Sequence, residues 1–151
     1  MPANGPKSRR PSVANYKSKP PKPLAVFLDR SLGKKTIAAA LREAGVEVHV
    51  HDDYFLPDAR DEDWLREVGR RGWIVFTKDS RIRYRGLELA ALRKAGVRAF
   101  VLTGKDLQGR EMGQIFVKAL PAITRLIARF PPPFIAKVTR GGSVSKLFSD
   151  P

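Results

Sequence analysis

The sequence predicts a three-layer α/β domain, with a mainly parallel central sheet covered by helices on both faces. Three observations predict it. Short continuous apolar runs alternate with segments whose apolar residues recur every three or four positions, as when doubly buried strands are joined by amphipathic crossover helices. Glycine closes the helical segments, at Gly45, at Gly69 or Gly72, and at Gly96. Two of the apolar runs end directly in aspartate, at Asp29 and Asp79.

The elements follow in order. Residues 24–28 form a continuous apolar run and read as a first strand. Ile37, Leu41 and Ala44 recur at helical spacing before Gly45. Residues 46–50 alternate apolar with polar and read as a second strand. Trp64, Leu65 and Val68 fit one face of a short helix, and residues 73–76 form a third strand. Residues 87–95 are helical up to Gly96, and residues 98–102 are a fourth strand. Arg42-Glu43-Ala44-Gly45-Val46 resembles Arg93-Lys94-Ala95-Gly96-Val97, one capping chemistry used twice. Met112, Ile115, Phe116, Ala119, Ile123, Leu126 and Ile127 mark a longer helix. Pro121 lies inside it and predicts a kink or a break into two. Pro131-Pro132-Pro133 ends it, and residues 134–138 offer a late strand.

At 151 residues the chain suits one domain with extensions. Residues 1–23 hold six prolines and six basic residues and no acid, a composition that cannot offset its ordering entropy by burial. The reading is therefore a basic, disordered tail at 1–23, a domain at 24–138 and a C-terminal tail at 139–151. There is no cysteine, which excludes disulfides and thiolate metal sites. No apolar run is long enough to span a membrane, and the basic N-terminus lacks the apolar core of a secretory signal. A soluble, cytoplasmic protein is the expectation. The net charge of +14 and pI of 10.7 point to a nucleic-acid partner.

Several α/β chemistries are excluded by their missing motifs. There is no P-loop, no G-x-G-x-x-G after the first strand and no G-x-S-x-G elbow. A phosphoaspartyl hydrolase would need a second aspartate two residues after the first, where Ser31 stands. His49 and His51 share one face of a strand by spacing; that spacing would suit a metal pair, but the preferred reading is two solvated strand-end side chains.

The acids remain. A strand that ends in a carboxylate places it at the sheet's C-terminal edge, where open α/β sheets keep their sites. Asp29 and Asp79 meet that condition. Hard cations such as Mg²⁺ and Mn²⁺ take carboxylate oxygens, waters and substrate phosphates. Asp61 can reach the same crevice from a helix start. Asp58, Asp61, Glu62 and Asp63 crowd that start, however, where the helix dipole favours acids in any case, so spacing alone leaves Asp61 open. Glu88 is an outer candidate.

In order, Phe27-Leu28-Asp29, Asp61-Glu62-Asp63-Trp64-Leu65 and Phe76-Thr77-Lys78-Asp79 resemble the compact branch of PIN-like domains, that of VapC-type toxin ribonucleases and the Mut7-C group. Arg70-Arg71-Gly72-Trp73 and Arg81-Ile82-Arg83-Tyr84 are similar to a toxin-type subgroup. The resemblance covers residues 26–138. It implies a PIN-like fold and a Mg²⁺- or Mn²⁺-dependent ribonuclease with an RNA substrate. It also implies an antitoxin protein as partner and is compatible with a homodimer. It makes Asp61 the third catalytic and metal-binding acid beside Asp29 and Asp79. Longer relatives carry a fourth acid, for which Asp63 and Glu88 are the candidates here. Lys78, Arg81, Arg83 and Arg85, with Arg70 and Arg71, would then form a basic rim that holds phosphates without reading bases. Two rivals stay open: a PIN-like nucleic-acid-binding protein without activity, and a phospho-accepting regulatory domain of similar shape.

Overall fold

A computed structural model describes residues 23–79 and 86–149, with the backbone alone described at residues 86–88, 148 and 149. In chain order they form β1 (Ala25–Leu28), α1 (Thr36–Glu43), β2 (Glu47–Val50) and α2 (Asp61–Arg71). Then come β3 (Ile74–Thr77), α3 (Gly86–Ala95), β4 (Arg98–Leu102), α4 (Gly109–Arg129), β5 (Phe134–Val138) and β6 (Val144–Ser149). Single 3-10 turns follow β1 (Arg30–Leu32) and β2 (His51–Asp53).

The sheet order is β2-β1-β3-β4-β5-β6. The first five strands are parallel and β6 is antiparallel to β5. β2 is laid down on one side of β1 and β3 on the other, so the direction of winding reverses between β1 and β3. The two crossovers diverge there and leave a crevice beyond the strands' C-terminal ends, the usual place for a site in a doubly wound sheet.

Alternation along the strands builds two cores. Val26, Leu28, Ile74, Phe76, Phe100 and Leu102 face α1 and α4, where Ile37, Leu41, Phe116 and Ile123 complete the cluster. Phe27, Val75, Ala99 and Val101 face the opposite way, onto Trp64, Leu65 and Val68 of α2 and Leu92 of α3. Phe76 stacks on Phe116 at 4.4 Å between ring centroids, and Phe27 stacks on Trp64 at 5.3 Å. Burying one such side chain stabilises the fold by about 1.5–3 kcal/mol.

Of the two glycines that offered an end to α2, Gly72 is the stop. Its φ of 73° is the left-handed conformation that a helix C-terminus favours. Gly69 serves packing instead: a Cβ there would lie 2.2 Å from the carbonyl oxygen of Ala95 on α3.

Two expectations are corrected. Residues 139–151 are not all tail, because Val144–Ser149 pair with β5 as the sixth strand. One half-buried position of that strand is Lys146, whose Nζ lies 3.8 Å from the centroid of the Phe130 ring. A lysine in a covered position breaks the apolar pattern by which strands are recognised. Further, α4 runs as one helix through Pro121. That residue is exposed, so the hydrogen bond proline cannot make to the carbonyl of Val117 is lost on the watered side.

Candidate active site

Asp29 follows the last residue of β1, and its amide donates to the carbonyl of Phe76 on β3 (3.2 Å). The ladder between the two strands thus continues into the aspartate and fixes its backbone at the switch point. Its side chain is held from two directions. Oδ1 accepts from the amide of Ser31 (2.9 Å) and from the Ser31 hydroxyl. Oδ2 accepts from the hydroxyl of Thr77 (2.5 Å), the last residue of β3 and fully buried. The amides of Lys78 and Asp79 close the set, donating to Ser31 Oγ (2.9 Å) and Thr77 Oγ1 (3.0 Å). Asp79 is carried on this same turn.

Asp61 arrives from another layer. It opens α2, and its Oδ1 accepts from Nε1 of Trp64 (2.8 Å). The Trp64 ring is buried against Phe27, so a core aromatic sets the direction of a surface acid. The loop between β2 and α2 forms the remaining wall, tied down where Arg30 Nη1 donates to the carbonyl of Pro57 (2.6 Å). Asp29, Asp61 and Asp79 line one crevice of about 260 Å³, together with Ser31, His51 and Trp64.

The electrostatics of this crevice favour a cation. Burial raises the Asp29 carboxyl above the ordinary aspartate range. The hydrogen bonds from Ser31 and Thr77 oppose that rise, and the charge of Asp79 adds to it. A carboxylate that is short of water and faces another carboxylate is relieved by positive charge. Among the described residues no three His, Asp or Glu side chains are close enough to hold one ion between them. The donors fit Mg²⁺ or Mn²⁺ in the manner usual for substrate phosphates, where one or two carboxylates bind and water and phosphate oxygens complete the shell. Asp29 and Asp79 would be those two, with Asp61 across the crevice.

The other expected residues fall elsewhere. Asp63 pairs with Arg60 and Arg66 at 3.4 and 3.7 Å and does not line the crevice. Glu88 lies on α3, its side chain outside the described residues, as are Arg81, Arg83 and Arg85 entirely. Lys78 is exposed beside Asp79. Arg70 and Arg71 are not brought to the crevice. They end α2, ten residues or so from Asp61, which at 1.5 Å per residue is roughly 15 Å away. Both bind Glu67 at 2.5 Å, and the Arg71 guanidinium lies 4.8 Å from the Trp73 ring centroid.

Three residues were missed as parts of the site. Ser31 and Thr77 stand two positions from Asp29 and Asp79, a spacing at which short hydroxyls bond a neighbouring carboxylate or amide. His51 is the third. The expectation of solvated histidines is corrected: His51 is 3% exposed and packs among Phe27, Phe55 and Trp64. His49 stacks on Trp73 at 3.7 Å and bonds Tyr54 and Glu47. The 3-10 turn after β2 folds His51 inward, which no spacing rule reveals.

Residues 24–104 match the model of a family described as a PIN-like domain. The chain is 32% identical over 117 residues to a Mycobacterium tuberculosis protein named "Putative ribonuclease VapC45", covering 75% of this chain and 84% of that one. No solved structure matches.

Proposed function

The chain belongs to the PIN-like domain family, and from that premise we propose that it is a metal-dependent endoribonuclease, the toxin of a toxin–antitoxin pair. One observation carries the reading: acids from three separate elements, Asp29, Asp61 and Asp79, line one crevice at the β1/β3 switch point. The relative named a ribonuclease supports the substrate class, and an antitoxin protein is the partner this reading requires.

When bound, Mg²⁺ or Mn²⁺ would polarise the phosphodiester and lower the pKa of a water, so that hydroxide is available to attack it. The chain supplies placement. Asp29 and Asp79 present carboxylate oxygens from the ends of neighbouring strands, and the rigid sheet fixes their separation. Ser31 and Thr77 hold Asp29 in one rotamer, as outer partners of metal-binding carboxylates do. Asp61, aimed by Trp64, stands on the far side, where it can accept a proton from water at the reacting phosphate. Lys78, exposed beside Asp79, offers a phosphate contact.

The test is cleavage of end-labelled single-stranded RNA by the full chain, with Mn²⁺ or Mg²⁺ and with EDTA. Cutting that needs the cation and disappears in Asp29→Asn supports the proposal. Equal cutting by Asp29→Asn and Asp79→Asn, or in EDTA, overturns it.

A further inference from the structure

The crevice divides the charge of this domain. Residues 24–79 carry nine basic and eleven acidic side chains, whereas residues 86–149 carry eleven basic and three acidic. Ion pairing follows the same division. Lys34, Arg60, Arg66, Arg70 and Arg71 each face a carboxylate within 4 Å. Lys78, Lys105, Lys118 and Arg140 pair with no carboxylate among the described residues. Five cations on the β2 and α2 side are thus already neutralised by a carboxylate, and Arg30 and Arg42 there are engaged by backbone carbonyls, whereas Lys78, Lys105, Lys118 and Arg140 are not neutralised.

Three of the unneutralised cations lie along one edge of the sheet and lead away from the crevice. Lys78 follows β3, Lys105 lies in the loop after β4, and Arg140 follows β5. These strands are parallel, so all three residues share the sheet edge that carries Asp29 and Asp79. At about 4.8 Å per strand, β5 lies roughly 14 Å from β1. Arg140 Nη2 donates to the carbonyl of Lys105 (2.7 Å), which joins the two loops. The turn between β5 and β6 continues the patch onto α4, because a Cβ on Gly142 would meet the Lys118 side chain at 3.1 Å.

We infer that the substrate RNA leaves the crevice on the β3–β4–β5 side, with its phosphates on Lys78, Lys105, Arg140 and Lys118. The inference deepens the ribonuclease reading above and rests on it. A polyanion is the partner that matches a row of cations that form no ion pair with the protein's own carboxylates. A protein interface would centre on buried apolar and aromatic groups. Of the three exposed large apolar residues among those described, the two most exposed, Tyr54 and Leu56, stand on the β2 side in the loop before α2, and the third, Leu147, lies singly on β6. The acidic β2 side would repel the strand, which gives the path its direction.

Binding of single-stranded RNA by the full chain, in EDTA and across a salt series, tests this. The Lys105→Ala/Lys118→Ala/Arg140→Ala variant is expected to bind more weakly. Its slope of log affinity against log salt is expected to fall by up to about 2, at roughly 0.7 per lost phosphate contact. Arg70→Ala/Arg71→Ala is expected to keep the wild-type slope. An unchanged slope in the triple variant overturns the path, as does an equal fall in the α2 double variant. An acidic protein as the true occupant would give the first of these results. Circular dichroism checks the fold of the triple variant. If it is unfolded, Lys105→Gln/Lys118→Gln, altered at two exposed positions, reads the same slope with an expected fall of up to about 1.4. Cleavage in Mn²⁺ separates the two readings. A wild type that binds with the expected slopes and never cuts sinks the ribonuclease and leaves the path standing. One that cuts while the variants bind normally sinks the path alone.

Discussion

Thr77 donates its hydroxyl to Oδ2 of Asp29 at 2.5 Å, across 48 residues of sequence. The bond joins the last residue of β3 to the residue after β1, so it spans the switch point that makes the crevice. It also engages the same hydroxyl oxygen that receives the Asp79 amide. One buried threonine therefore couples the positions of the two strand-end acids.

Thr77→Val keeps the shape and removes the hydroxyl. It releases Asp29 on its Oδ2 side, leaving only Ser31 to hold it, and removes the acceptor of the Asp79 amide. Loss of an outer partner of this kind typically costs 10–100-fold in metal affinity or activity. The expected outcome is a fall of that size in cleavage rate, partly restored by raising Mn²⁺. Stability should also drop by about 1–3 kcal/mol, the usual cost of an orphaned buried polar group, as read from urea melts. An unchanged rate would remove Thr77 from the site.

Asp29→Asn bears on stability as well as catalysis. The carboxyl of Asp29 is raised above its ordinary value, chiefly by burial. The folded state therefore binds that proton more tightly than the unfolded state does. Stability from this group is present below the unfolded value, near 3.9, and is lost as pH rises through the folded one. At pH 7 the ionised group costs the fold something. In EDTA at neutral pH the Asn variant should melt higher than the wild type, and its advantage should vanish towards pH 3. A lower midpoint for Asn at pH 7 would show that the charge is already compensated.

Gly69→Ala probes packing away from the crevice. The added methyl would lie 2.2 Å from the Ala95 carbonyl, and a backbone atom cannot swing aside. α2 and α3 must separate, at a cost of about 1–3 kcal/mol typical of overpacking. Thermal denaturation should show the loss, with RNA cleavage per folded molecule retained if α2 shifts at its C-terminal half only. A midpoint equal to that of the wild type would mean the helices pack less closely than described.

What the sequence made legible here was local. Leu24 to Asp29 and Trp73 to Asp79 read as strands with terminal acids because a buried parallel strand is nearly all apolar, and a charge can stand only where it ends. The left-handed glycines Gly45 and Gly96 were visible for a similar reason, since one backbone geometry selects one residue. Strand order was not legible, because it depends on which way each crossover turns. β6 was hidden by Lys146, whose stem is covered while its charge lies over Phe130. Arg70 and Arg71 suited a phosphate rim by composition, but their distance from Asp61 depends on the direction of α2 across the sheet. The resemblance to PIN-like domains singled out Asp61 where spacing could not. The bond from Trp64 Nε1 gives the physical reason that this acid, and not Asp63, faces the crevice.

His51 gives the last prediction. It is buried beside the crevice, and its Nδ1 makes no hydrogen bond. Burial lowers its pKa below the ordinary histidine value, while Asp52 acts the other way. The folded state thus binds this proton less readily than the unfolded chain, where the value is near 6.5. Stability from the neutral ring is full above that value and is lost as pH falls through 6.5 towards the lower folded value. Urea midpoints measured between pH 7.5 and pH 5 should fall for the wild type. His51→Gln cannot titrate, so it should show a flatter profile, with lower stability at pH 7.5 from imperfect packing among Phe27, Phe55 and Trp64. Parallel profiles for the two proteins would assign the acid sensitivity to another group.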